Sequence, residues 1–279
     1  MFNLLKFRKP PKINCFFVTG TGRCGTMLVS TLLSLGDNVH CNHERSSLYQ
    51  IIKDAYLTGN MSPLFKEIDA SIRPMVKSYN RKSITYGESS GLLYLALKEL
   101  HRRYGDDVRF ILLIRKPDAF VRSALARGFF NPEHPHALEH LRALPTTEIG
   151  QNWATTTPFE KCLWYWDLVN GMVFDFFQTL PSEMWRIQPI ETFDISSCGH
   201  LYEFLEIAGF DEKKQQIQEI LSTRINATPN LGDDRHLNPW SLPMTTGEMS
   251  TWNSDELEIY ERWTKRLLPI LYPVSNNGI

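Results

Sequence analysis

Between Cys15 and Leu35 the chain changes its apolar period twice, and this stretch limits the possible folds more than any other. Cys15, Phe16, Phe17 and Val18 form a continuous apolar run of strand length. Gly20, Gly22 and Gly25 then break the pattern, and Met27, Leu28, Leu32, Leu33 and Leu35 restart it at helical spacing. A strand that passes into a helix through glycines aims several backbone N–H groups, and the positive end of the helix dipole, at one point. Such a point binds an anion, most often a phosphate.

The same alternation recurs downstream. Short strands are expected over 37–41, 83–87, 108–114 and 184–190, with Val108 to Ile114 (VRFILLI) reading as a central strand covered on both faces. Helical patterns fill 46–59, 63–78, the stretch from Leu92 to Leu100, 117–127, 159–180, 197–208, 212–222 and 254–268. Pro117 suits a first helical turn. Residues 1–14 read as a loose lead-in, and 129–157 and 224–252 as irregular insertions. Strands alternating with helices predict an α/β fold: a three-layer sandwich whose mainly parallel sheet of about five strands is flanked by helices, in one domain over 1–279.

Composition narrows the function. With 42% apolar residues, including 16 Phe, 10 Tyr and 7 Trp, the chain can bury a large core. A net charge of −1 offers nothing globally basic to nucleic acid. The 5 Cys are scattered without a CxxC pair, which favours free thiols in a reducing compartment and argues against a zinc site. No uninterrupted apolar run reaches about 18 residues, so no membrane span is expected. The N-terminal residues lack a signal-peptide core, and the expected location is cytoplasmic.

Three owners compete for the glycine turn. Gly20-x-Gly22-x-x-Gly25 matches the dinucleotide fingerprint, with Glu44 placed where a ribose-binding acid would stand, as in an NAD(P)-dependent oxidoreductase. Gly20-x-x-x-x-Gly25-Thr26 matches a nucleoside triphosphate loop, but it lacks the lysine that such a loop needs, and VRFILLI ends on Arg115 rather than on a metal-binding Asp. The third reading starts from Arg115. A parallel strand delivers it to the carboxyl edge of the sheet, and Ser123 follows about two helical turns later. Together they would form a second anion pocket on the same crevice, which suits a nucleotide phosphorylated at both ends.

At this point the sequence resembles the 3′-phosphoadenylyl-sulfate (PAPS)-dependent sulfotransferases. TGTGRCGT and its helix resemble their 5′-phosphosulfate loop in the version that carries Arg. IRKPDAFVRSALARG is similar to their 3′-phosphate motif, and TYGESSGLLYL to the GEKTPxYL segment, with Ser89, Ser90 and Gly91 in place of Lys-Thr-Pro. WRIQPIETF and the closing YERWTKRLLPILYP resemble later family segments more faintly. The resemblance implies a P-loop-like fold and metal-independent transfer of a sulfuryl group from PAPS, leaving adenosine 3′,5′-bisphosphate. It also leaves open a homologue that binds the nucleotide without turnover.

The implied roles follow the motifs. Backbone N–H groups of Gly22, Arg23, Cys24, Gly25, Thr26 and Met27, with the Arg23 guanidinium and the Thr26 hydroxyl, would hold the 5′-phosphosulfate. Arg115 and Ser123 would hold the 3′-phosphate. In-line displacement needs a base for the acceptor proton. Glu44 is the first candidate, His43 the second and Glu88 the third. Neighbours in an extended segment point opposite ways, so only one of His43 and Glu44 is expected to face the site. His40 is expected to be structural. The acceptor would be a small molecule, carbohydrate or peptide. His236, Trp240 and Trp252 could line its site, although packing explains such aromatics more readily.

Overall fold

The structure, a computed structural model, describes residues 13–44, 48–132, 141–222 and 248–273. Its frame is a sheet of 5 parallel strands: β1 (Cys15–Thr19), β2 (Val39–His43), β3 (Thr85–Ser89), β4 (Val108–Ile114) and β5 (Trp185–Pro189). Their spatial order is β2-β3-β1-β4-β5, so β3 lies between the glycine-turn strand and the edge strand β2.

The continuous apolar runs of β1 and β4 have a direct cause. Successive side chains point to opposite faces, and here both faces are covered. Cys15, Phe17, Phe110, Leu112 and Ile114 enter the larger core, whereas Phe16, Val18, Ile111 and Leu113 enter the smaller one. In chain order the helices are α1 (Thr26–Leu33), α2 (Tyr49–Thr58), α3 (Ser62–Asn80), α4 (Leu97–Tyr104), α5 (Pro117–Leu125), α6 (Glu148–Gln151), α7 (Pro158–Phe177), α8 (Ile195–Phe204), α9 (Phe210–Ser222), α10 (Ser254–Thr264) and α11 (Leu268–Leu271). The larger core takes apolar residues from α2 to α7 and from α11. The smaller core takes them from α1, α8 and α9.

Local chemistry fixes the helix starts. Thr157 accepts a hydrogen bond from the Glu160 N–H, and Pro158 occupies the first turn of α7. Asn253 and Glu256 form a capping box on α10. α7 also reaches the site, because the Trp166 indole N–H donates to the Arg115 carbonyl at 2.8 Å.

Four expected elements differ from the structure. The second and third strands run on to His43 and Ser89, because the β2–β3 register continues to the pair His43↔Ser89. The helix expected from Leu92 begins at Leu97 instead. The Ser90 hydroxyl accepts from the Leu92 N–H at 3.2 Å and holds the intervening residues in turns. Leu92, Leu93 and Ala96 are buried all the same, so their apolar pattern reported burial and not helix. The C-terminal helix divides into α10 and α11. Residues 1–12 of the lead-in, most of the second insertion and part of the first lie outside the described residues.

Candidate functional site

The glycine turn is built by close backbone approach. A Cβ on Gly91 would lie 2.9 Å from the N and Cα of Gly22, so these two backbones touch. A Cβ on Gly25 would meet the Ile190 side chain at 2.4 Å, and Gly25 has φ 92. Arg23 itself sits at φ 54, a left-handed conformation that costs roughly 1–2 kcal/mol for a residue with a Cβ. α1 opens at Thr26 with no side-chain cap. The Ser89 hydroxyl donates to the Thr26 carbonyl at 2.8 Å and ties this start to β3.

A cleft of about 150 Å³ opens against the turn. Thr21, Gly22, Arg23 and Thr26 border it from the turn, and Gly91 and Leu92 from the segment after β3. Tyr49, Phe129 and Arg127 line it elsewhere, and His43 and Glu44 complete its wall. Burial, and then repulsion from Arg127 and Arg115, lower the Arg23 guanidinium to a pKa of about 10. Such a crowded cationic group gains most from an anion placed beside it.

Arg115 and Ser123 are brought to the turn but not to the cleft wall. One Arg115 N–H donates to the Arg23 carbonyl at 2.9 Å, and the Arg23 Nε–H donates to the Ser123 hydroxyl at 3.1 Å. Burial lowers the Arg115 pKa while Glu191 opposes that shift. Glu191 also occupies the start of α5: it accepts the Lys116 N–H at 2.7 Å and the Tyr272 hydroxyl at 3.0 Å. Cys24 is fully buried within the turn, and burial pushes its thiol up to about 12, so it contributes backbone and no acid–base chemistry. Met27 is partly exposed in the first turn of α1.

The candidate bases separate clearly. The Glu44 carboxylate is exposed, and His43 Nε2 lies 3.1 Å from the Thr26 hydroxyl. Both residues border the cleft, contrary to the expectation that alternation would admit only one. The reason is backbone: Glu44 has φ 46, so the strand period ends there. Its N–H donates to the Ser89 carbonyl at 3.1 Å. Glu88 is not at this cleft. It is buried in β3, accepts the Tyr86 hydroxyl at 2.6 Å, and borders a separate cavity of about 10 Å³ with Ser90 and Leu93. His40 does not line the cleft and is stacked on Tyr79 with ring centroids 4.3 Å apart.

Arg127, Tyr49 and Phe129 were missed from sequence. Arg127 had a signal, because it follows Ser123 at the four-residue spacing that places two side chains on one helical face. Tyr49 and Phe129 had none. Burial and the nearby Glu44 raise the Tyr49 pKa, so its hydroxyl remains a donor. Trp252 packs on Phe159 and Tyr260 with centroids at 5.0 and 5.5 Å, and it belongs to the core. His236 and Trp240 lie outside the described residues.

A crystal structure of a sulfotransferase from Alicyclobacillus acidocaldarius superposes with a TM-score of 0.53 at 15% identity, over 95% of this chain and 96% of that one. The chain has the sulfotransferase fold. The sulfotransferase domain of the Synechococcus olefin synthase matches at 11% identity and TM-score 0.48, over 92% of this chain and 97% of that one. A mouse sulfotransferase complexed with PAP matches at 12% identity and TM-score 0.48, over 93% and 86%. No protein-family model matches the sequence, and no curated protein does. Among the described residues no helix is long and apolar enough to cross a membrane, and no group of three or more His, Cys, Asp or Glu side chains gathers as a metal site.

Proposed function

We propose that the cleft takes PAPS and that the chain is a sulfotransferase in which Glu44 is the general base. The observation that carries this reading is the convergence on one cleft of a crowded guanidinium, Arg23, with a carboxylate, Glu44, and an imidazole, His43. The residues fit the group. Gly20, Gly22 and Gly25 carry no side chains in the turn at the start of α1, and Arg23 and Arg127 on the cleft wall supply positive charge.

When bound, PAPS supplies the sulfuryl group and the leaving nucleotide. Glu44 takes the proton from the attacking hydroxyl or amine of the acceptor, as the new bond to sulfur forms and the bond to the nucleotide breaks. Arg23 and the N–H groups of the turn compensate the charge that develops on the departing phosphate. The Thr26 hydroxyl is oriented by His43. Arg115 and Ser123 fix Arg23 and its loop, and stand ready for the second phosphate once Arg23 turns toward the first.

A dinucleotide oxidoreductase is disfavoured by strand order. In that fold the second strand pairs directly with the first, so its terminal acid reaches the ribose. Here β3 intervenes. Calorimetric titration with adenosine 3′,5′-bisphosphate, NAD and ATP–Mg²⁺ should give tight binding of the first alone, and tight NAD binding would sink the reading. Transfer of labelled sulfate from PAPS to a panel of hydroxyl and amine acceptors then separates an enzyme from an inert binder.

A further inference from the structure

The end of β2 is held from the face that does not meet the cleft. The register pairs Asn42 with Glu88 and His40 with Tyr86 on adjacent strands. These four side chains share one side of the sheet, whereas Cys41, His43 and Ser89 point to the other. The hydrogen bonds run in one direction. The Asn42 amide N–H donates to the Tyr86 hydroxyl at 3.1 Å, and that hydroxyl donates to the Glu88 carboxylate at 2.6 Å. Because the Asn42 NH₂ is committed to Tyr86, its Oδ1, 3.1 Å from His40 Nε2, is the acceptor, which assigns the ring proton to Nε2. Every donor thus points toward one buried carboxylate, an arrangement in which each bond polarises the next.

We infer that this chain from His40 through Asn42 and Tyr86 to Glu88 is a positioning device for Glu44. The inference rests on the sulfotransferase reading only in naming what Glu44 does. Three observations support it. β2 is an edge strand, so β3 is its only partner strand in the described sheet. Glu44 is held at φ 46, and a non-glycine residue keeps that conformation only where its surroundings over-determine it. The two residues before Glu44 are pinned from opposite faces of the sheet, Asn42 by Tyr86 and His43 by Thr26, and the Glu44 N–H is held by the Ser89 carbonyl. Glu88 therefore acts through Asn42 and does not touch substrate.

Tyr86→Phe removes the central hydroxyl and keeps the ring, which stacks near Tyr79 at 5.8 Å. Residue-resolved hydrogen exchange should show the Glu44 amide exchanging about tenfold faster or more in this variant, with the amides of β1 and β4 unchanged. Turnover should fall about tenfold, with KM for PAPS within about twofold. In a Glu44→Gln background the same change should cost nothing further. Asn42→Ala, at a half-buried edge position, should reproduce the pattern should Tyr86→Phe fold poorly. An unchanged Glu44 amide in both variants overturns the inference, as does a turnover loss that persists in full without the Glu44 carboxylate. Wild-type turnover of Glu44→Gln alone would instead defeat the choice of base, and the exchange measurement would still decide the positioning role.

Discussion

The glycine turn and the end of β2 both stand at the carboxyl edge of the sheet and both border the cleft, yet they are held by opposite means. The turn lies over central strands and is fixed by shape: Gly20 would drive a Cβ to 2.5 Å from the Leu113 carbonyl, and Gly91 abuts Gly22. The β2 end lies on an edge strand and is fixed by polar bonds, through Asn42, His43 and the Glu44 N–H. A centre crowded by backbone takes its form first from shape, and the side-chain bonds from Ser89 and Arg115 are added to that. An edge has no such neighbours and must be pinned bond by bond, which leaves it more easily tuned and more easily lost.

The contrast can be tested from the largest effect downward. Glu44→Gln should lower turnover by about 10²-fold or more and leave bisphosphate affinity nearly intact, since it removes the base and nothing from the turn. Steady-state kinetics beside calorimetry checks this, and equal losses of turnover and affinity would blur the two regions. Gly20→Ala should do the reverse, acting by overpacking. We expect a cost of about 1–3 kcal/mol in stability, read as a lower melting temperature. Arg115→Ala removes a charged donor to the Arg23 carbonyl, and should weaken bisphosphate binding about tenfold with the melting temperature little changed. His40→Phe keeps a ring against Tyr79 and deletes only the outermost donor of the chain. Its turnover loss should be the smallest, about twofold, and should vanish when Glu44 is already Gln.

The sheet and the turn were legible because their signals are local. VRFILLI is β4 to the residue, since a strand covered on both faces writes a continuous apolar run. The glycines marked the turn because only a side chain of no size admits such backbone contact. What failed was whatever depends on distant partners. Leu92 and Leu93 are buried by tertiary contacts and were read as helical. Glu44 borders the cleft, but its left-handed backbone, which brings both it and His43 to that wall, left no trace in the sequence. Glu88, the third candidate base, is instead buried in β3, where it accepts the hydroxyl of Tyr86 from two residues earlier on the same face of the strand. Tyr49, at the start of α2, and Phe129, after α5, reach the cleft only through tertiary packing, and no periodicity encodes that.

All 5 cysteines are buried, and burial raises the pKa of each thiol. A thiolate, not a thiol, attacks an alkylating reagent, so the folded chain presents such a reagent with no competent target. Labelling can proceed only in molecules that have opened. The sulfurs lie in β1, the turn, β2, α7 and α8, so the order in which they become labelled would give a clock for which layers of the sandwich part first.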